Sequence, residues 1–385
     1  MDPGRQRRDH DVTDEQLTDT VVAGPDGSTP EDRAKARRNA IIRTLLVGGY
    51  LFVVFGILLP QIVSYSDVID AFRAAPPEAL FVVALIGIAS WITEGMAINA
   101  ILPVLGIWRA TVTWLSMTAV GSTIPGPVKM AFGYRLYRNW GLSAETAALG
   151  LSLNGLATQA SKLILPAIAT LFLTLTGTIP SWGYVVAVLI ALPVALGSLV
   201  SIWILRSEEF ARRVGAFATR TTDAVMRRIK RPEPDDLTPR LMGFRESARV
   251  MLLARIGPTV LSQLVARSMG YVLLLASLRA VGVPTEILPP EIVLGVYAAV
   301  MTITLLPIAP GGAGLPELLY ITFFTSIVSD PAWDDAIAAG VMLYRGMAWF
   351  VPIPVGYLVL WVARQREKRQ AAQAATDDGL ERPSA

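Results

Sequence analysis

Cysteine is absent from this chain, and histidine occurs only once, as His10. The lack of cysteine excludes disulfides, thiolate nucleophiles and cysteine metal sites. Because His10 lies in a polar tail, histidine-dependent triads and HExxH zinc sites are also excluded inside the membrane body. We therefore expect no metal and no other cofactor. Charge is also scarce, since 17% of the residues are charged and 53% are hydrophobic, with a mean hydropathy of +0.49. This balance is typical of a polytopic membrane protein.

The apolar runs predict an all-helical (all-α) membrane protein with about six transmembrane helices, each needing about 20 apolar residues. The runs of suitable length are residues 41–63, 79–102, 144–176, 184–205, 251–278 and 336–362. We expect disordered tails at residues 1–40 and 365–385. Between them, the division is into a first membrane repeat (41–206), a basic amphipathic segment (207–249) and a second membrane repeat (250–364).

The basic clusters predict the orientation in the membrane. They lie before the first apolar run, in residues 207–249 and after the last run, so the positive-inside rule places both termini and this segment in the cytoplasm. No signal peptide is expected, because the first 38 residues lack an apolar core. Between residues 210 and 231, apolar residues recur at helical spacing among arginines. This pattern favours binding to anionic lipid at the cell membrane rather than to nucleic acid.

Two proline- and glycine-rich breaks interrupt apolar segments. One break contains Pro310, Gly311, Gly312 and Gly314 between two runs that are each too short to span a bilayer. Proline stops the incoming helix, and glycine permits a tight turn. A similar break contains Pro125 and Gly126. We predict two re-entrant helical hairpins that enter from opposite sides, in an inverted-topology repeat of the kind that surrounds transporter binding sites.

Three motifs carry a resemblance to a known family. They are Pro310-Gly-Gly-Ala-Gly-Leu-Pro-Glu317, Tyr344-Arg345, and Arg135-Leu-Tyr137 after the first break. Together they resemble the lysylphosphatidylglycerol synthase transmembrane-region family, the flippase-like membrane part of multiple peptide resistance factors, over residues 41–364. The resemblance implies a lipid translocase fold. The chain differs at Asn154, where the family commonly has an arginine, and no soluble acyltransferase domain is expected after residue 364.

Charged residues inside apolar segments are the candidate headgroup ligands, because a charge at membrane depth costs about 2.5–3.5 kcal/mol and needs a partner or water. The full candidate set is Lys129, Arg135, Glu317, Arg345, Glu94 and Arg267. Lys162 is expected to lie near a helix end instead.

Each candidate leaves two interpretations open. Arg345 either holds a lipid phosphate, with Glu317 as counter-ion or amine receptor, or forms a structural salt bridge with Glu317. Lys129 either binds a phosphate near the start of a half-helix or extends its ammonium group to the membrane surface. Glu94 and Arg267 occupy matching places in the two repeats, and either pair with each other or line one cavity.

The leading functional hypothesis is flippase-like translocation of an anionic phospholipid or a polyprenyl-phosphate-linked lipid across the cytoplasmic membrane. An envelope-lipid synthase is a candidate partner, and no enzymatic activity is expected. One alternative is a glycosyltransferase-like membrane enzyme with a lipid-phosphate substrate, whose base would be an outer carboxylate such as Asp67, Asp70, Asp334 or Asp335. Another is a non-transporting scaffold for a cell-envelope synthase.

Overall fold

A computed structural model describes residues 57, 65–124, 128–181, 183–228, 238–305, 314–363 and 365. The chain divides into two units, Met1–Val53 and Val54–Ala385, and the described residues all belong to the second. The predicted first span (41–63, apart from residue 57) and both predicted tails lie outside the described residues. So do five residues of the predicted breaks: Pro125, Gly126, Pro310, Gly311 and Gly312.

Seven helices belong to the first part of the described chain. They are α1 (Tyr65–Ala74), α2 (Pro77–Ile101), α3 (Gly106–Thr123), α4 (Val128–Asn139), α5 (Ala144–Leu175), α6 (Gly183–Arg206) and α7 (Glu208–Arg228). Pro77 begins α2, where a missing backbone N–H has no cost. Ser143 caps α5 by accepting a hydrogen bond from the Thr146 backbone N–H. Local capping chemistry therefore fixes where these two long helices begin.

Four further helices form the second part: α8 (Thr238–Ala280), α9 (Pro290–Ile303), α10 (Leu315–Val328) and α11 (Asp334–Arg345). A π-helical segment, Gly346–Phe350, follows α11 directly, and residues 352–363 are again helical. The helix α8 contains 43 residues and continues through Pro258. The predicted fifth span (251–278) is therefore the C-terminal part of a longer helix, since transmembrane helices tolerate an internal proline when neighbours satisfy the freed backbone groups.

Four helical runs are long and apolar enough to cross a membrane: Pro77–Ile101, Ala144–Leu175, Arg255–Ala280 and Pro331–Ala363. They agree with four of the predicted spans, and no β-strand occurs in the described ranges. The protein is thus an all-helical polytopic membrane protein. The helix α6, with 24 residues, coincides with the predicted span 184–205. The count of six crossings stays a prediction.

The two predicted breaks each lie between a pair of short helices. The pair α9 and α10 has 14 residues in each helix, and the pair α3 and α4 has 18 and 12. The helices of each pair pack against one another. Gly314 precedes α10 with φ of +91°, a left-handed conformation that glycine adopts without steric cost. Re-entry into the membrane and inverted topology stay predictions.

The described residues form two clusters of buried hydrophobic side chains. In the first part, side chains of α2, α4 and α5 meet around the buried Tyr137. In the second part, leucines of α8 pack with α9, α10 and α11 around Phe324. Between the two cores, α2 packs along α8, and the Trp91 indole N–H donates a hydrogen bond to the Met347 carbonyl at 2.9 Å. Polar side chains are concentrated at this junction.

Candidate functional site

A cavity of about 390 Å³ lies at the junction of the two parts. Helices α2 to α5 form one side of it, and α8, α11 and the π-helical segment form the other. Its volume falls within the range of about 300–1,000 Å³ that is usual for small-molecule sites. Its charged lining residues are Glu94, Lys129, Lys162, Arg267 and Arg345, and its other notable lining residues are Asn154, Thr158, Trp114, Tyr344 and Trp349.

Glu94 of α2 and Arg267 of α8 form an ion pair across the cavity wall. Both side chains are mostly buried, with 17% and 14% of their surface exposed. The Tyr297 hydroxyl holds the α8 backbone at this point by donating to the Arg267 carbonyl at 2.9 Å. The Arg267 Nε is buried and has no hydrogen-bond partner among the described residues. Arg267 therefore binds Glu94, and both residues line the cavity, so both interpretations of this pair hold in the structure.

Lys129 is the second residue of α4 and reaches the cavity from the far side of the first break. Its aliphatic stem lies against Gly121 of α3, where a Cβ would come within 2.8 Å of the lysine Cδ. Glycine at this position therefore leaves room for the lysine side chain. Lys129 is within electrostatic range of Glu94 and Arg267. The structure thus directs this lysine towards the same polar site as the Glu94–Arg267 pair.

Lys162 also lines the cavity, so its expected position near a helix end was wrong. It lies in the middle of α5 (Ala144–Leu175). Asn154 and Thr158 precede it at intervals of four residues, which places all three on one face of the helix. A polar stripe at this spacing in an otherwise apolar span was the sequence signal that could have located Lys162.

Gln263 joins α5 to α8 through a small hydrogen-bond network. Its side chain is almost fully buried, and its amide nitrogen donates to the Asn154 Oδ1 at 3.4 Å and to the Thr158 hydroxyl at 3.3 Å. Its Oε1 accepts from the Ser161 hydroxyl at 3.5 Å. With the Asn154 oxygen bonded to Gln263, the Asn154 amide nitrogen remains as a donor at the cavity wall. The sequence alone did not reveal this network.

The Glu317–Arg345 ion pair connects α10 to α11. Glu317 is fully buried, and its Oε1 accepts a hydrogen bond from Arg345 Nε at 2.7 Å. Its Oε2 accepts from the Gly314 backbone N–H at 2.8 Å, so the same carboxylate caps α10. The Arg345 guanidinium lies over the Trp349 ring at 5.6 Å, which is within range of a cation–π interaction. Of the two residues, Arg345 lines the cavity and Glu317 supports it from behind.

The charges around the cavity do not cancel. Four basic side chains line it, against the single carboxylate Glu94, and Glu317 behind Arg345 adds a second acid. The site therefore has an excess of two positive charges. Among the described residues, Arg267 and Arg345 have acidic partners, whereas Lys129 and Lys162 have none. Lys162 is also within electrostatic range of Lys129 and Arg267. An anionic ligand is the natural complement of such a like-charged cluster.

The structure thus brings Lys129, Arg345, Glu94 and Arg267 of the predicted set to one cavity. Glu317 contacts this set only through Arg345. Arg135 is exposed on α4 and is not among the residues that line the cavity. In the described parts of the chain, no group of three acidic or histidine side chains is arranged to hold a metal ion.

Fold and cavity together define a helical membrane protein with a polar cavity between two halves, lined by more basic than acidic side chains. The family model of the lysylphosphatidylglycerol synthase TM region matches residues 41–356, and the chain belongs to this family. This match agrees with the resemblance that the glycine-rich and Tyr-Arg motifs indicated. A comparison with curated proteins found no matching relative.

Proposed function

We propose that the protein moves an anionic phospholipid or a polyprenyl-phosphate-linked lipid between the leaflets of the cytoplasmic membrane, in the manner of a flippase. The observation that supports this proposal most directly is the cavity with its excess of positive charge. Uncompensated charges at membrane depth are costly and usually mark a substrate pathway. Here a phosphate would offset that cost by accepting hydrogen bonds from Lys129, Lys162 and the arginines.

The position of the cavity suggests how the headgroup would cross. Both halves contribute lining residues, so a movement of one half relative to the other would change which side has access. The headgroup would occupy the polar cavity, while the acyl chains would remain in lipid. The π-helical segment after Arg345 is consistent with this role, because such segments often occur at functional sites and this one carries Trp349.

An enzymatic function is the second candidate, and the site favours it less. A glycosyltransferase-like reaction needs a carboxylate that is available as a base. In the part of the chain that the structure describes, the only carboxylate lining the cavity is Glu94, which Arg267 already binds. Of the outer carboxylates considered from the sequence, Asp70 pairs with Arg73. We therefore assign the cavity a transport role and propose that the protein is not an enzyme.

Transport is tested by the substitution Lys129→Gln. We expect it to lower the rate of headgroup translocation about tenfold or more, because a charge-assisted hydrogen bond contributes about 1.5–3 kcal/mol. The measurement is the accessibility of a labelled phosphatidylglycerol headgroup to a membrane-impermeant quencher in proteoliposomes. Arg109→Gln is the matched control, since Arg109 is exposed on α3 and does not line the cavity. If the wild-type protein moves no anionic lipid, the proposed function is wrong.

The proposed orientation is tested by cysteine labelling, for which a natural chain without cysteine is well suited. Ser207→Cys, at the exposed junction of α6 and α7, is expected to resist an impermeant thiol reagent in intact cells. Ala332→Cys, in the exposed turn before α11, is expected to react. Permeabilised cells provide the control for both positions. Labelling of Ser207→Cys in intact cells would reverse the proposed topology.

A further inference from the structure

Among the described residues that line the cavity, three nitrogen groups are hydrogen-bond donors without a carboxylate partner: the ammonium groups of Lys129 and Lys162 and the Asn154 amide nitrogen. The guanidinium groups of Arg267 and Arg345 line the same cavity. An ammonium group and a guanidinium offer no acceptor at all. The complement of such a set is a group that presents only acceptors and carries negative charge. Phosphoryl oxygens meet both conditions.

The number of charges narrows the ligand further. A site with two excess positive charges is neutralised by a ligand with two negative charges, and a phosphodiester headgroup supplies only one. A phosphomonoester carries about −1.5 to −2 near neutral pH, and a diphosphate group carries at least as much. An aminoacylated headgroup adds positive charge instead, and the carboxylate at the cavity wall is already bound by Arg267.

We propose that the cavity selects a lipid headgroup with two negative phosphoryl charges, which is either a phosphomonoester or a diphosphate. This proposal rests on the proposed function. Lys129 and Lys162 contact the phosphoryl oxygens together with Arg267 and Asn154. Gln263 acts as a positioning residue, because its bond to the Asn154 oxygen turns the Asn154 nitrogen towards the ligand. Monoanionic phosphodiesters bind more weakly, and aminoacylated lipids are disfavoured.

Binding of short-chain lipids to the purified protein in a neutral detergent tests this selectivity. The probes are a phosphatidic acid, a phosphatidylglycerol and a lysylphosphatidylglycerol with the same acyl chains, measured by calorimetric titration. We expect the phosphatidic acid to bind at least about tenfold more tightly than the phosphatidylglycerol. Equal affinities, or tighter binding of the lysylated lipid, would overturn the proposal.

The pH dependence of the affinity for phosphatidic acid provides a second test that needs only one lipid. The second pKa of a phosphomonoester is about 6, so its affinity should rise between pH 5 and pH 7.5 as the second charge forms. The charged and titratable groups facing the ligand are Glu94 on α2, Lys129 on α4, Lys162 on α5, Arg267 on α8, and Tyr344 and Arg345 on α11. Phosphatidylglycerol has no second ionisation, so its binding over the same range reports any titration of these groups. A parallel rise for both lipids would contradict the proposal.

Substitutions at Lys162 connect the selectivity to this residue. Lys162→Gln is expected to reduce the preference for phosphatidic acid from about tenfold to about threefold or less, whereas Lys162→Arg should retain most of it. Arg109→Gln removes a charge of the same sign outside the cavity and should leave the preference unchanged. Monodispersity in detergent serves as the folding control for all three variants. An unchanged preference in Lys162→Gln would remove this lysine from the site.

Two further measurements complete the test. Displacement by inorganic diphosphate identifies the source of the phosphoryl group, and comparison of the lipid affinities with the translocation assay separates this proposal from the proposed function. Inorganic diphosphate that displaces the phosphatidic acid would show that phosphoryl charge alone is recognised, and failure to displace it would show that the lipid part is also required. A protein that translocates phosphatidylglycerol but lacks a charge preference would refute only the selectivity. A protein that prefers dianionic lipids but moves none of them would refute only the transport function.

Discussion

Replacing Glu317 by alanine is expected to lower the free energy of unfolding by about 3–5 kcal/mol, which is typical when one partner of a buried ion pair is removed. Glu317 is fully buried, and both of its carboxylate oxygens are bonded, one to Arg345 and the other to the Gly314 N–H. The substitution would therefore leave a mostly buried guanidinium without this acid and α10 without its cap. Thermal unfolding of the detergent-solubilised protein measures the loss.

Two companion variants separate the charge from the cap. Glu317→Gln keeps an oxygen that can accept from the Gly314 N–H, so we expect a smaller loss than with alanine. The double variant Glu317→Leu with Arg345→Met leaves no unpaired charge, and a well-packed apolar pair is often as stable as a buried ion pair. It should recover most of the stability. A double variant as unstable as Glu317→Ala would show that the unpaired Arg345 charge is not the cause of the loss.

The same double variant also distinguishes the two roles of Arg345. If Arg345 only neutralises Glu317, the stable double variant should transport lipid at the wild-type rate. Because Arg345 lines the cavity, we expect transport to fall about tenfold even though the fold is retained. Exchange of the two charged residues would be a weaker test, since an arginine at position 317 cannot accept a hydrogen bond from the Gly314 N–H.

The parts of the fold that follow from local chemistry were predictable from the sequence. Apolar runs bounded by proline or a capping residue gave the long helices closely, as α2 after Pro76 and α5 after Ser143 show. Few charged residues occur in the apolar segments, so each has few possible partners of opposite charge. The contact between Glu317 and Arg345 could therefore be expected from the sequence. These inferences use properties of one segment or of a rare residue type.

Features that depend on how helices cross were not predictable in the same way. The cavity exists because α5 and α8 bring Lys162 and Arg267 to the same site as Glu94, and nothing in any single segment specifies that approach. The π-helical segment after Arg345 is likewise a tertiary feature, since Trp91 of another helix binds the Met347 carbonyl within it. The continuation of α8 through Pro258 is also a tertiary feature, because neighbouring groups satisfy the backbone groups that an internal proline leaves free.

Glu94→Gln is expected to make the stability of the protein strongly dependent on anionic ligand. Glu94 binds Arg267 and lies within electrostatic range of Lys129 and Lys162. Removing its charge raises the excess at the cavity from two positive charges to three. In neutral detergent without ligand, we expect the free energy of unfolding to fall by about 3 kcal/mol. This is the low end of the range for an uncompensated buried charge, because the site is partly exposed.

Added phosphatidic acid should then restore most of that stability, because saturation at 100 times the dissociation constant stabilises a protein by about 2.7 kcal/mol. The measurement is the unfolding temperature of wild type and variant at increasing ligand concentration, with a larger ligand-induced shift expected for the variant. Glu78→Gln is the control, since Glu78 is an exposed carboxylate at the start of the same helix. If the ligand raises the unfolding temperatures of the wild type and of Glu94→Gln equally, Glu94 only stabilises the contact between α2 and α8. A larger shift in the variant would mean that Glu94 and the ligand phosphate neutralise the same cations in turn. The headgroup would then replace the Glu94 carboxylate as it enters the cavity, and the carboxylate would displace the headgroup as it leaves.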